Sequence, residues 1–75
     1  MSRLVLTNFR EFEKILYKLG FIRSRQNGSH VVYHHSDGRT VSVPNHGSKD
    51  LSRKLIRRLI KQIDVSIDDY VTLLD

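Results

Sequence analysis

Residues 26–44 have the sequence QNGSHVVYHHSDGRTVSVP, which combines two turn signals with two runs of β-forming residues. Asn27-Gly28 is a strong hairpin signal, because a tight primed turn needs positive φ and both residues tolerate it. Ser36-Asp37-Gly38 supplies a second turn, and Pro44 ends the following strand because it has no N–H to donate. With residues 21–25 as the first strand, 29–35 as the second and 39–43 as the third, this region predicts a three-stranded antiparallel meander.

Amphipathic helices flank the predicted meander. Asn8 and Glu11 have the spacing of a capping box and Gly20 stands where a helix would end, so the first helix is predicted at about residues 8–19. Ser66 and Asp69 resemble a second capping box and predict a short helix through residue 74. Another helix is predicted between these two. Its apolar face is marked by residues at helical spacing, namely Leu51, Leu55, Ile56, Leu59, Ile60 and Ile63.

The predicted order, α-β-β-β-α followed by a short α, belongs to the α+β class with helices packed on one face of a three-stranded antiparallel sheet. Residues 1–75 are expected to form a single domain, since a chain this short buries only about 60% of its unfolded surface. Residues 1–7 fit either a short edge strand or a disordered leader.

Period-two alternation decides which side chains of the second strand face the helices. Val31 and Tyr33 form the more apolar set, which matches the apolar alternation of the third strand, so this set is predicted to point inward. His30 and His34 then point away from the helices. A β-bulge beside the Asn-Gly turn would reverse this assignment.

The chain is basic, with 13 Lys and Arg against 8 Asp and Glu, a formal charge of +5 and a sequence pI near 10.0. The cations concentrate in the middle of the chain, which favours a polyanionic partner, although a charged surface selected for solubility is the alternative. Without cysteine there is neither a disulfide framework nor a cysteine-ligated metal site. No apolar run is long enough for a bilayer and no signal peptide is visible, so we expect a cytoplasmic protein with no membrane contact, monomeric when free.

His30 is the first candidate for chemistry, because a β ladder would hold its imidazole in place directly after the turn. Histidine side chains exchange protons near neutral pH, which suits general acid–base catalysis. A half-exposed polar residue without a catalytic role is the alternative. No metal or other cofactor is expected, since His30 and His34 would lie roughly 13 Å apart on one strand, whereas His34 and His35 would face opposite sides.

RNA cleavage makes a modest chemical demand, because the 2′-hydroxyl is a built-in nucleophile that needs a base, stabilising cations and an acid for the leaving oxygen. His30 is the candidate base, and His46 is a candidate acid or base that could equally be an exposed loop residue. The start of the second helix, expected near Gly47 and Ser48, would add N–H donors for a phosphate. Lys49 is a candidate auxiliary residue, and the basic residues expected to contact RNA are Arg25, Arg39, Arg53, Lys54, Arg57, Arg58 and Lys61.

Several motifs in a fixed order resemble the HicA family of toxin–antitoxin mRNA interferases. They are Gly20-Phe21 after an amphipathic helix, Gly28-Ser29-His30, Asp37-Gly38-Arg39, Val43-Pro44-Asn45-His46 and a basic helix rich in Leu and Ile. The resemblance implies a double-stranded-RNA-binding-domain-like fold, cleavage of mRNA, and neutralisation by a HicB-type antitoxin that covers the active site. It implies that His30 is the active-site residue and that Gly28 and Ser29 shape the turn that supports it.

Three classes of function remain open from the sequence. The leading hypothesis is a metal-independent endoribonuclease toxin in which His30 acts in general acid–base catalysis. A non-catalytic module could instead use the same fold and basic helix to bind duplex RNA through phosphates and 2′-hydroxyls. A third class acts mainly in complex with its antitoxin, repressing its own operon.

Overall fold

The computed structural model describes residues 3–74. Its elements are α1 (Phe9–Lys18), β1 (Ile22–Asn27), β2 (His30–His34), β3 (Thr40–Pro44), α2 (Arg53–Gln62) and α3 (Ile67–Leu73). The strands form one antiparallel sheet in the order β1-β2-β3, so β2 is central. This arrangement is the predicted α+β, double-stranded-RNA-binding-domain-like fold. Within residues 3–74, no helix has the length and apolar character needed to cross a membrane.

Both ends of α1 form as the sequence predicts. Asn8 Oδ1 accepts from the Glu11 N–H at 2.9 Å, and Glu11 Oε1 accepts from the Asn8 N–H at 3.0 Å, which completes the capping box. Gly20, at φ 96°, adopts the left-handed conformation after the helix. The Phe21 N–H then donates to the Leu16 carbonyl at 2.9 Å, which is the long bond of a Schellman motif.

The alternation along β2 confirms the predicted assignment of its two faces. Val31 and Tyr33 are both 0% exposed and face the helices, whereas His30 and His34 are exposed on the opposite face. A register shift does occur in the sheet, but it lies in β1 around Ser24 and leaves the alternation of β2 unchanged. One face of the sheet therefore covers the core and the other presents His30.

The first hairpin turn lies one residue later than predicted. Asn27 pairs with His30, so the loop residues are Gly28 and Ser29 rather than Asn27 and Gly28. Gly28 has a φ of 64° and Ser29 does not have positive φ, which is the sign pattern of a type II′ turn. Because this turn needs positive φ only at its first central position, Asn27 stays in the strand.

The prediction for the start of the second helix was also wrong. The α2 helix begins at Arg53, after Ser52, whose Oγ accepts from the Leu55 N–H at 3.2 Å. Leu51 is buried but precedes the helix, where its N–H donates to the Thr7 carbonyl at 2.8 Å. The N–H groups of residues 47 and 48 therefore do not belong to a helix N-terminus, and the phosphate site expected there is withdrawn.

Residues 3–7 form neither an edge strand nor a disordered leader, whereas residues 1 and 2 lie outside the described part. Leu4 and Thr7 are buried, and the Thr7 and Tyr70 hydroxyl oxygens are 2.9 Å apart. The Tyr70 hydroxyl donates to the Val5 carbonyl at 2.6 Å, so it accepts from the Thr7 hydroxyl. These bonds fasten the N-terminal segment to α3.

Candidate active site

The backbone of His30 is held at the start of the central strand of the sheet. His30 is the first residue of β2, where it pairs with Asn27 of β1 on one side and Pro44 of β3 on the other. Its side chain is exposed on the open face of the sheet. An imidazole in this position is accessible to a large substrate while its Cα is held by strands on both sides.

The two residues of the Gly-Ser-His motif that precede His30 are anchored by their carbonyl groups. Gly28 O accepts from Gln26 Nε2 at 3.0 Å, and Ser29 O accepts from the Asn45 N–H at 2.6 Å. The first bond closes the turn locally, and the second ties it to the loop that follows β3. Gly28 and Ser29 therefore form an anchored turn directly before His30.

The His30 side chain forms part of one wall of a groove between β3 and α2, which we call the His30 groove. Its other lining residues are Ser42 and Pro44 from β3 and Leu55, Arg58, Leu59 and Gln62 from α2. Arg58 is the cation of this set, and no carboxylate lines the groove. An imidazole and a guanidinium in the same groove can withdraw a proton and hold an anion, which are two of the functions that phosphodiester cleavage requires.

Five of the predicted RNA contacts form an exposed stripe along α2, which we call the α2 basic face. They are Arg53, Lys54, Arg57, Arg58 and Lys61. Arg53 donates from Nη1 to the Leu4 carbonyl at 3.3 Å, so part of its guanidinium is engaged. Arg25 lies elsewhere, exposed on β1 opposite Val32 on the open face of the sheet.

His46 and Lys49 lie in the exposed loop between β3 and α2 and do not line the His30 groove. The bond from the Asn45 N–H to Ser29 O nevertheless brings this loop beside the turn that leads into His30. Gly47 has a φ of 68°, and its N–H donates to Asn45 Oδ1 at 3.0 Å. Gly47 thus adopts a left-handed backbone conformation that glycine accommodates without steric cost.

Arg39, another predicted RNA contact, is held by internal bonds. Its Nε donates to Asp37 Oδ2 at 2.8 Å, its Nη1 donates to the Ile63 carbonyl, and its guanidinium lies 5.1 Å from the centre of the Phe21 ring. The Asp37 carboxylate also accepts from the Arg39 backbone N–H, and these bonds lower the pKa of Asp37. Arg39 thus joins the second turn to the end of α2, and we leave it out of the candidate RNA surface.

The remaining histidines make separate contacts. His34 Nδ1 lies 2.9 Å from the Thr40 hydroxyl oxygen. His35 Nε2 donates to the Leu19 carbonyl at 3.0 Å, and its Nδ1 lies 3.1 Å from both the backbone nitrogen and the Oδ1 of Asp37. Over residues 3–74, no three His, Cys, Asp or Glu side chains are grouped as metal ligands would be.

A polar network that sequence reasoning missed runs from the core to the His30 turn. The buried Tyr33 hydroxyl donates to Glu13, whose Oε2 lies 3.8 Å from Arg23 Nη1, and Arg23 Nη2 donates to Gln26 Oε1 at 2.9 Å. Burial, followed by the bond to Glu13, raises the pKa of Tyr33, so the phenol remains a donor. The available signal was the inward position of Tyr33, because a buried hydroxyl needs a partner.

A family model described as the HicA toxin of bacterial toxin–antitoxin systems matches residues 9–65. This match covers more than half of the chain, which therefore belongs to the HicA toxin family, as the ordered motifs indicated. No curated protein matches the chain.

Proposed function

We propose that this member of the HicA toxin family is the toxin of a type II toxin–antitoxin pair and an endoribonuclease that cleaves mRNA. The observation that carries the proposal is the His30 groove, where an exposed imidazole on the central strand shares a cleft with the Arg58 guanidinium. A domain that recognises double-stranded RNA by its shape needs contacts to phosphates and 2′-hydroxyls, but it does not need a fixed imidazole. The groove therefore favours cleavage over binding alone.

In the proposed reaction, His30 removes the proton from a ribose 2′-hydroxyl, and the 2′-oxygen forms a bond to the adjacent phosphorus. Arg58 stabilises the charge that develops on the non-bridging phosphate oxygens. The bond from phosphorus to the 5′-oxygen then breaks, and this oxygen takes up a proton, for which His46 is the candidate donor. The products are a 2′,3′-cyclic phosphate and a 5′-hydroxyl, and no step in this scheme calls for a metal ion.

The α2 basic face and Arg25 supply the remaining RNA contacts in this proposal. Guanidinium and ammonium groups neutralise phosphates and release counterions, which binds RNA with little dependence on sequence. Arg25 is exposed on the same face of the sheet as His30, and Arg58 of the α2 basic face lines the His30 groove.

The proposed inhibitor is a HicB-type antitoxin that occupies the His30 groove and part of the α2 basic face. Membership of a toxin–antitoxin family supports the partnership itself. A partner with complementary negative charge would associate rapidly with so basic a surface.

The test uses one RNA oligonucleotide in two forms, one unmodified and one with a methyl group on every 2′-oxygen. The account predicts that the wild-type protein binds both, cleaves only the unmodified form, and leaves a cyclic phosphate at the new 3′ end. Binding of both without cleavage of either would contradict the proposal and support the RNA-binding module.

A further inference from the structure

A second groove lies beside the His30 groove, on the other side of the Pro44–Asn45 peptide. Pro44 lines the His30 groove, and the next residue, Asn45, lines the second one. The second groove, which we call the α1 groove, has a volume of about 660 Å³. Its other walls come from the start of α1, from β1 and from the loop after β3, with Phe9, Arg10, Glu13, Arg23 and Ser48 among the lining residues.

The two grooves adjoin at the end of β3 but open on opposite sides of the sheet. Consecutive Cα atoms are about 3.8 Å apart, so Pro44 in one lining and Asn45 in the other keep the grooves close together. Glu13 of the α1 groove accepts the Tyr33 hydroxyl on the helix-covered face, whereas His30 is exposed on the open face. An extended chain that lies against His30 therefore has to pass around the end of β3, at Pro44 and Asn45, to enter the α1 groove.

The charge in the α1 groove favours an anion. Glu13 is countered by Arg23, 3.8 Å away, and accepts the Tyr33 hydroxyl. Arg10 is exposed, and its side chain forms no hydrogen bond or ion pair with another residue in the described range 3–74. The capping box uses the N–H groups of Asn8 and Glu11, and we assign the attraction for an anion to the guanidinium of Arg10.

We propose that the α1 groove binds a nucleotide of the same RNA strand, adjacent to the one cleaved at His30, with Arg10 holding its phosphate. The inference rests on the proposed function. An RNA strand suits the site because the groove has both polar and apolar walls, contains the Arg10 guanidinium and lies close to the candidate catalytic cleft at the end of β3. None of the sequence motifs pointed to Arg10, which lies outside the basic middle of the chain.

The experiment compares the variants Arg10→Ala and Arg10→Lys with Lys14→Ala as a matched control. Lys14 is an exposed cation on the same helix, but it lines a different depression, with Glu11 and Leu73. Cleavage kinetics are measured on a fluorescein-labelled RNA oligonucleotide, and its binding is followed by fluorescence anisotropy. The oligonucleotide is also shortened one nucleotide at a time from each end.

Arg10→Ala should raise KM and Kd roughly five- to tenfold with kcat unchanged, as expected for loss of one charged phosphate contact. Arg10→Lys should restore most of the affinity, and Lys14→Ala should change it less than about twofold. Shortening the RNA at one end should abolish the difference between wild type and Arg10→Ala.

Equal effects of Arg10→Ala and Lys14→Ala on KM and Kd would overturn the inference, because they would show that Arg10 acts only through its contribution to the net positive charge. Loss of antitoxin affinity without any change in RNA binding would also overturn it and assign the groove to the protein partner. Failure of the wild type to cleave RNA would refute the proposed ribonuclease, whereas the anisotropy measurement would still test whether the groove binds RNA.

Discussion

Substitution of Arg58 by alanine should slow cleavage far more than it weakens RNA binding. Arg58 is the cation that lines the groove containing His30, so we place it against the phosphate under attack. Its stabilising effect grows as negative charge develops in the transition state, and such an interaction contributes to kcat rather than to KM.

The size of the expected fall in kcat follows from the exposure of the site. Loss of one preorganised donor to a developing oxyanion lowers kcat about 10²- to 10³-fold where water is excluded. Arg58 is exposed and the groove is open to solvent, so water screens part of the interaction. We therefore expect a fall of about 10- to 100-fold, which corresponds to roughly 1.4–2.7 kcal/mol.

Arg57→Ala is the matched control, because it removes the same group from the preceding position of α2. Arg57 lines a separate depression with Ile60 and Val65, away from His30. This variant should raise KM with little change in kcat. Steady-state kinetics on a fluorogenic RNA separate the two parameters, and thermal melting confirms that both variants fold. Indistinguishable kinetic profiles for the two variants would refute the placement of Arg58 at the reacting phosphate.

Two further predictions concern stability. Tyr70→Phe leaves the buried Thr7 hydroxyl without its acceptor, which should lower the free energy of unfolding by about 1–3 kcal/mol. Adding Thr7→Val should recover part of this loss, as measured by urea denaturation. Strictly additive effects of the two substitutions would contradict the bond between these hydroxyls. Asp37→Asn tests the lowered pKa of Asp37: a carboxylate with a depressed folded pKa stabilises the fold above its ordinary pKa near 3.8 and loses that effect as the pH falls. The melting-temperature difference between wild type and Asp37→Asn should therefore be constant near neutral pH and shrink in acid, and a difference independent of pH would refute this role.

The sequence predicted the order of elements well because each boundary has a local cause. The Asn8–Glu11 capping box and Gly20 act through bonds within a few residues, and the alternation of Val31 and Tyr33 follows from strand geometry. The turn register was wrong because Asn27-Gly28 allows more than one primed turn, and neighbouring strands decide between them.

The candidate site could be predicted only in part. His30 was a candidate because of its motif and its position after a turn, but Arg58, which lines the same groove, is far away in sequence and was one of seven basic candidates. Arg39 was indistinguishable from a surface cation until its bonds to Asp37 and Ile63 were known. Leu51 carried the apolar spacing of a helix, yet a bond to Thr7 keeps it in the segment before α2. Each of these outcomes depends on contacts between distant parts of the chain.

The most direct test of the central claim is cleavage of a long mRNA, in the presence of EDTA, by the wild type, His30→Ala and His34→Ala. The two histidines lie four residues apart on β2 and are exposed on the same face of the sheet, so His34→Ala controls for loss of an imidazole from this surface. The account predicts fragments from the wild type and His34→Ala and intact RNA with a folded His30→Ala protein. Equal cleavage by all three proteins would place the chemistry elsewhere, and no cleavage by any of them would contradict a metal-independent ribonuclease.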